Sequence, residues 1–300
     1  LHPDYLSTRY ALKLDGVRTI GVQHHHAHIA SCMAEHNLSA PVIGVAFDGA
    51  GYGTDGTIWG GEFLVADLAG FQRRAHFRNV SLAGGHAAIR QPWRMALSYL
   101  LDSVGQDPHA LDLPGWKSIS TGQMELVTSM IARGVNSVPT SSCGRLFDAV
   151  AAILALRHQV NYEGQAAVEL ESAAAEGIAD AYSFSIADTL PWTIDMRPMI
   201  AQIVREVQMK TATRQVAAKF HNTLAAVILE VSERVRNLEG LTSVCLSGGV
   251  FQNAYLLERV VPALRASGFA VYRNQKVPPN DGGIALGQAV IANEAVRRGG

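Results

Sequence analysis

The residues best able to do chemistry are crowded into Gln23-His24-His25-His26-Ala27-His28. On a helix, only side chains three or four apart share a face. His24 and His28 are four apart and can converge on one metal ion, whereas His25 and His28, three apart, make a poorer pair. A solvated helix start accounts for the same residues without a metal. Two ligands do not close a coordination shell, so further donors must come from distant parts of the chain. Asp48 is one candidate. It ends an apolar run and opens Asp48-Gly49-Ala50-Gly51-Tyr52-Gly53, where glycine amides could approach a phosphate while the carboxylate is aimed at a metal. Asp55-Gly56 just beyond signals a hairpin turn, and both readings can hold together. Asp281, in Pro278-Pro279-Asn280-Asp281-Gly282-Gly283, is the best third ligand in the C-terminal half. It could equally be an N-cap for the helix that follows.

The elements that must hold these residues can be read from pattern. A short helix is expected after Pro3 and Asp4, a strand over 17–22, and the histidine helix over about 24–36, with Ile29, Met33 and Ala34 facing a core. The run over 42–47 is a buried strand, and 57–66 and 71–80 complete a three-strand meander. Residues 82–95 turn into a helix on which Arg90 and Arg94 lie four apart and could meet an anion; on spacing alone a solvated face explains them better. The pattern over 96–135 is helical with loops at 105–116. Thr140-Ser141-Ser142 precedes a helix over 149–156, which puts Asp148 in its first turn, a place where a carboxylate is stabilised without any function. Glu169 and Glu171 ride on the next helix, and 182–186 with 192–196 alternate like a hairpin. Residues 199–237 are helical, with His221 expected to be buried and hydrogen-bonded. The strand over 242–246 runs directly into Ser247-Gly248-Gly249 and a helix carrying Asn253, an arrangement suited to a phosphate or ribose. A strand over 269–273 and a last helix over about 284–295 close the chain.

The 300 residues are 48% hydrophobic and 17% charged with a net charge of −1, enough for a large core in one domain or two lobes. No basic run offers a track for nucleic acid or a membrane surface. Cys32, Cys143 and Cys245 are far apart and form no CxxC pair, which argues against a zinc ribbon or disulfide framework and suits a reducing cytoplasm. No apolar run reaches the ~18 residues of a transmembrane helix. The opening on Leu1 reads as a fragment. The element order is that of one lobe of an α/β, actin/sugar-kinase-like (ASKHA, RNase H-like) two-lobed fold, in which nucleotide lies against glycine turns at strand ends.

Nine segments carry a more specific resemblance. They are His2-Pro3-Asp4-Tyr5, the histidine cluster, Asp48-Gly49-Ala50-Gly51-Tyr52-Gly53, Gln91-Pro92-Trp93-Arg94-Met95-Ala96, Gly144-Arg145-Leu146-Phe147-Asp148-Ala149-Val150, Tyr162-Glu163-Gly164-Gln165-Ala166-Ala167, Phe220-His221-Asn222-Thr223-Leu224-Ala225, Leu246-Ser247-Gly248-Gly249-Val250-Phe251-Gln252-Asn253 and Asn280-Asp281-Gly282-Gly283. With these the chain resembles the C-terminal domain of the HypF carbamoyltransferases of nickel–iron hydrogenase maturation. It is more distantly similar to the TsaD tRNA threonylcarbamoyl transferases and to antibiotic O-carbamoyltransferases. The resemblance implies that His24, His28 and Asp281 hold zinc or iron, with Asp48 at or near the ion. It implies that Asp148, Gly164 and Asn253 contact the nucleoside, and Gly248 and Gly249 the phosphate side, with Asp48, Gly49 and Ser247 in the same nucleotide site. The substrate would be carbamoyl-adenylate, and the acceptor the C-terminal cysteine of a HypE-like maturation protein. The full-length enzymes also use carbamoyl phosphate and ATP. Their acylphosphatase-like, zinc-finger and YrdC-like domains have no motif in this sequence, nor do the early strands of the first lobe. The expected organisation is therefore residues 1–40 as part of the first lobe, 41–281 as the second lobe, and 282–300 as a helix returning to the first. His86 stands where an acid is expected.

Other activities fit less well. A kinase of the same superfamily needs oxygen ligands for Mg²⁺, and a histidine pair is a poor substitute. A tRNA substrate lacks a basic phosphate track. A non-catalytic nucleotide-binding fragment is the remaining alternative.

Overall fold

The computed structural model describes residues 5–104 and 111–299. The helix start expected at Pro3 and Asp4 lies outside the described residues, as does the first half of the loop expected at 105–116. Helix α1 (Leu6–Ala11) leads through an irregular segment to α2 (His24–Glu35). A meander follows, β1 (Val42–Tyr52), β2 (Ile58–Ala66) and β3 (Phe71–Phe77); the last strand, expected to reach residue 80, ends at Phe77, and β4 (Val80–Ala83) leaves the meander to pair with a later strand. Next come α3 (His86–Arg90), α4 (Pro92–Ser103), α5 (Thr121–Arg133), β5 (Ser137–Thr140), α6 (Cys143–Ile153) and α7 (Gln165–Ala173). The hairpin β6 (Ser185–Ile186) and β7 (Trp192–Asp195) precedes the helices α8 (Arg197–Gln208) and α9 (Thr213–Glu239). The chain closes with β8 (Ser243–Ser247), α10 (Ala254–Ala266), β9 (Ala270–Arg273) and α11 (Ile284–Arg297).

The strands form one mixed sheet in the order β6-β7-β3-β2-β1-β8-β9, with β5 joined to β2 and β4. β1 to β3 are antiparallel, while β8 runs parallel to β1 in the register Val45 to Leu246, and β9 parallel to β8. Because β1 and β8 are parallel, their glycine-rich ends reach the same edge of the sheet. That shared edge is where the site forms.

Side chains of a strand alternate between faces. Ile43, Val45 and Phe47 of β1 enter the larger core with residues of α4, α6 and α9. Val42 and Ala46 point the other way, into a cluster with Ile29, Cys32 and Met33 of α2. The same parity puts Asp48 on the α2 side. The register of β1 and β2 slips between Phe47 and Gly51, so residues 48–50 form a bulge opposite Gly60. A bulge re-aims a side chain at a strand end, and here it does so at Asp48. β1 continues to Tyr52, beyond the end expected at Phe47.

α11 packs on α2, with Ile291 beside Val22, Ala27 and Ala30. The two helices come so close that a Cβ built on Gly287 would stand 1.8 Å from the Ala27 carbonyl oxygen. This crossing sets the distance between the histidines of α2 and the turn that leads into α11.

Three expectations change. Residues 17–22 form no strand. A strand exists by ladder pairing, and no described strand lies beside that segment. The helix expected from Ala149 begins at Cys143, because the Ser142 hydroxyl accepts from Arg145 N–H and caps it there. Asp148 is therefore a buried residue inside α6 rather than a first-turn carboxylate. Arg90 and Arg94 belong to separate helices, since Gln91, ahead of Pro92, sits at φ −128 and ψ 78.

Gly287→Ala is expected to cost about 1–3 kcal/mol by overpacking against backbone. Urea denaturation of the variant measures the loss; a variant as stable as the parent would contradict this account of the crossing.

A four-donor cluster beside a glycine-lined cleft

α2 starts where Gln23 caps it: the Gln23 Oε1 accepts from His26 N–H at 2.8 Å. The Gln23 amide also donates to the Tyr52 carbonyl at 3.2 Å, which ties the helix start to the end of β1. The four histidines then separate by helical phase. His26 Nε2 donates to the Asp67 carbonyl at 2.6 Å, and its ring packs on Phe71. His25 is fully buried against Trp59. His24 and His28 share the face that looks toward Asp48 and Asp281.

His24 Nε2 lies 3.2 Å from His28 Nε2, 3.0 Å from Asp48 Oδ2 and 3.3 Å from Asp281 Oδ1. His28 Nε2 lies 3.5 Å from each of the same two carboxylate oxygens. One donor atom from each of the four residues falls within 4.8 Å of all the others. Donors about 2.1 Å from a tetrahedral ion stand roughly 3.4 Å apart, so this spacing is that of a mononuclear site. Two imidazoles and two carboxylates suit zinc or iron better than Mg²⁺. The four residues fit the ion implied by the resemblance.

The electrostatics agree with this geometry. Burial alone would push His24 down, but hydrogen bonds and charge from Asp281 and Asp48 prevail and raise it to about 9. His28 is raised against burial for the same reason. Burial would lift the Asp48 carboxyl, yet its contacts with His24 and His28 hold it well below the usual range. Asp281 is held low chiefly by hydrogen bonds from His24 and His28. Protons thus hold together a cluster in which a cation would take their place.

Each carboxylate is placed by its own turn. Asp48 Oδ1 accepts from Gly249 N–H at 3.1 Å, linking the ends of β1 and β8. Gly248 has φ +105, and a Cβ there would stand 2.2 Å from the Phe47 carbonyl oxygen, so only glycine allows that approach. Asn280, not Asp281, caps the turn at 281–283, accepting from Gly282 N–H at 3.0 Å. Asp281 is thereby left to reach the histidines.

Beside the cluster, and sharing Asp48 and Asp281 with it, lies a cleft of about 400 Å³. Of the expected nucleotide residues, Asp48, Gly49, Asp148, Gly164 and Gly249 line it. Asn253 lines an adjoining hollow with Gly164 and Gly249. Its side chain is already engaged, accepting from Leu256 N–H and donating to His221 Nε2. Ser247 is buried and bonds to Asn274, away from the cleft. Gly248 N–H donates to the Pro279 carbonyl and Gly249 N–H to Asp48, so neither amide is open to a phosphate.

Arg145 and Glu163 line the cleft as well and were missed as individual site residues. The signal that could have found Arg145 is its place three residues before Asp148 on one helix face. The entry to α6 is held firmly. Ser142 Oγ donates to the Gly49 carbonyl at 2.6 Å, and neighbouring Ser141 Oγ donates to the fully buried Glu62 at 2.5 Å. Burial pushes the Asp148 carboxyl up to about 6, against the pull of Arg145 and with repulsion from Glu163 adding to the rise.

Four side chains that could hold a metal ion, beside such a cleft on an open mixed sheet, are consistent with an actin/sugar-kinase-like domain of the Kae1-like kind. The family described as "Carbamoyltransferase, Kae1-like Domain, second subdomain" matches residues 44–288, and the "HypF Kae1-like domain" matches residues 1–35. The chain is 38% identical to Carbamoyltransferase HypF of Synechocystis, over 98% of this chain and 40% of that protein. It is 37% identical to the Carbamoyltransferase HypF homolog of Cupriavidus necator, over 97% of this chain and 76% of that protein. A crystal structure of full-length HypF in a phosphate- and nucleotide-bound form superposes with a TM-score of 0.93 at 45% identity, covering 99% of this chain and 46% of that one. The chain belongs to the HypF carbamoyltransferase family. It spans about two fifths of the length of the full-size relatives it matches.

Two outcomes are expected. A metal site formed by this cluster would lose its stoichiometric ion when His24 and His28 are both replaced by Ala, measured by elemental analysis. The second concerns His221, whose Nδ1 donates to the Ala217 carbonyl at 2.7 Å, leaving Nε2 to accept from Asn253 at 3.0 Å. Burial first, and the nearby Arg259 charge, lower it to about 4 against the Ala217 hydrogen bond. The unfolded chain therefore takes up this proton first as pH falls. The stability is complete above pH 6.5 and lost progressively down to pH 4, by about 3 kcal/mol. Denaturant titrations across that window should show the slope in the parent and a shallower one in His221→Gln.

Proposed function

We propose that the chain is a carbamoyltransferase domain that moves the carbamoyl group of carbamoyl-adenylate to the C-terminal cysteine thiol of a HypE-like partner, in the assembly of the cyanide ligands of nickel–iron hydrogenase. Family membership supports the reaction class. The observation that carries the reading is local: Asp48 and Asp281 belong both to the four-donor cluster and to the wall of the cleft. A nucleotide in the cleft would therefore present its acyl-phosphate end to the cluster. Domains that make the adenylate, with acylphosphatase-like, zinc-finger and YrdC-like parts, belong to the full-length relatives and would supply this one. The setting we propose is the cytosol, in keeping with three buried, unpaired cysteines. Among the described residues no helix is long and apolar enough to cross a membrane.

His24, His28, Asp48 and Asp281 would hold a zinc or iron ion, which supplies Lewis acidity toward oxygen of the carbamoyl-phosphate anhydride. The chain's own contribution is placement. The Ser142 cap and the Gly249–Asp48 bond hold the two cleft walls against each other. Asp148, in the second turn of α6, and Gly164, at the start of α7, face the same space and would meet the nucleoside. The partner's sulfur forms the new bond to the carbamoyl carbon as the carbon–oxygen bond to phosphate breaks. AMP leaves and the thiol proton passes to solvent. The nucleophile comes from outside, so no local thiol is required. This agrees with Cys143, the cysteine nearest the cleft: it is fully buried, and burial pushes its thiol well above the usual range.

The test is transfer from pre-made carbamoyl-adenylate to a peptide ending in cysteine, with mass spectrometry of the peptide and the metal content measured on the same sample. The metal-loaded chain should add one carbamoyl group per peptide, and the His24→Ala, His28→Ala variant should add none. Transfer at an undiminished rate by that variant would remove the cluster from the mechanism.

A further inference from the structure

The cleft contains four carboxylates, Asp48, Asp148, Glu163 and Asp281, and a single cationic side chain, Arg145. A nucleotide brings additional negative charge into this space. The amides of Gly248 and Gly249, the expected phosphate donors, are already engaged by Pro279 and Asp48. Counter-charge on the protein side must therefore come from elsewhere.

Arg145 is only 4% exposed and Asp148 only 3%. Nε of Arg145 stands 2.9 Å from Asp148 Oδ2, close enough for an ion pair. The two are not aligned as a hydrogen bond, and Arg145 Nε and Nη1, like Asp148 Oδ2, have no hydrogen-bond partner. Buried polar groups are almost always satisfied, so a guanidinium with unfilled donors has capacity left to donate to a two-oxygen partner. Arg145 Nη2 lies 4.0 Å from where a Cβ on Gly49 would stand, which places the guanidinium against the Asp48-Gly49 bulge, next to the metal-ligating carboxylate. The first turn of α6 is held there by Ser142 and by contact of Gly144 with Gly49.

We propose that Arg145 is the phosphate-binding residue of the cleft, clasping the α-phosphate oxygens of the adenylate between Asp148 and the four-donor cluster. This rests on the nucleotide reading of the cleft and assigns it a polarity. The phosphate lies on the Arg145 and Asp48 side, and the nucleoside extends past Asp148 toward Gly164. On departure of the carbamoyl group, the same guanidinium holds the AMP phosphate, so Arg145 acts on product as well as substrate.

The experiment compares AMP with adenosine as ligands of the zinc-loaded chain by isothermal titration calorimetry. The parent should bind AMP more tightly than adenosine. Arg145→Gln should weaken AMP by about 10- to 100-fold, the usual range for a charge-assisted hydrogen bond, while leaving adenosine within about twofold. Arg145→Lys should retain part of the AMP preference. Equal loss of both ligands, or no loss of either, overturns the assignment while leaving the nucleotide cleft intact. A parent chain that binds neither ligand overturns both readings. Should Arg145→Gln fail to fold, judged by its thermal transition, Arg145→Lys carries the test: a selective loss for AMP supports the assignment, and a parallel or absent loss overturns it.

Discussion

Two imidazoles and two carboxylates, drawn from three distant stretches of chain, meet with their donor atoms within 4.8 Å of one another. His24, His28 and Asp48 are buried while Asp281 is exposed, and a carboxylate removed from water, as Asp48 is, needs compensating charge. Against the pull of burial, the contacts with Asp281 and Asp48 favour that charge on the imidazoles, raising His24 to about 9 and His28 in the same direction. Much of the fold can be understood as what keeps the four groups in register. A glycine in α11 permits the helix crossing, a bulge in β1 turns Asp48, and an asparagine cap frees Asp281.

The same elements build the cleft. Because β1 and β8 are parallel neighbours, the Asp48-Gly49 bulge and the Gly248-Gly249 turn are adjacent, and one hydrogen bond joins them. α6 is then docked on the bulge by Ser142, so that Arg145 and Asp148 arrive together from one helix face. The cleft has an acidic lining, one buried guanidinium, and a metal-suited cluster at its edge. With four carboxylates on its walls, the cleft leaves Arg145 as the side chain able to offset negative charge entering it.

Much of the chain was legible from pattern. The buried strands, the long helices and the hairpin near 190 follow from periodicity, which depends on local burial and survives in sequence. The wrong readings share a cause. Residues 17–22 had strand-like character but no partner strand. Arg90 and Arg94 had helical spacing but a proline-directed break between them. Asp148 looked like a first-turn acid because the capping role of Ser142 extends its helix six residues upstream of the expected start.

The sequence by itself determined the chemistry on offer. Helical spacing alone pairs His24 with His28, strand parity and a glycine run mark Asp48, and the motifs identify the family. Only the tertiary structure decided which donors meet. Long-range placement depends on sheet order and helix crossing, which no local pattern encodes, so Asp281 could be an N-cap or a ligand until α11 was seen to lie on α2. The hydrogen-bond accounts of Gly248, Gly249 and Asn253, and the exposure of Arg145 as the lone cation of the cleft, likewise follow from packing. Each depends on groups tens to hundreds of residues away, brought within hydrogen-bonding distance by folding.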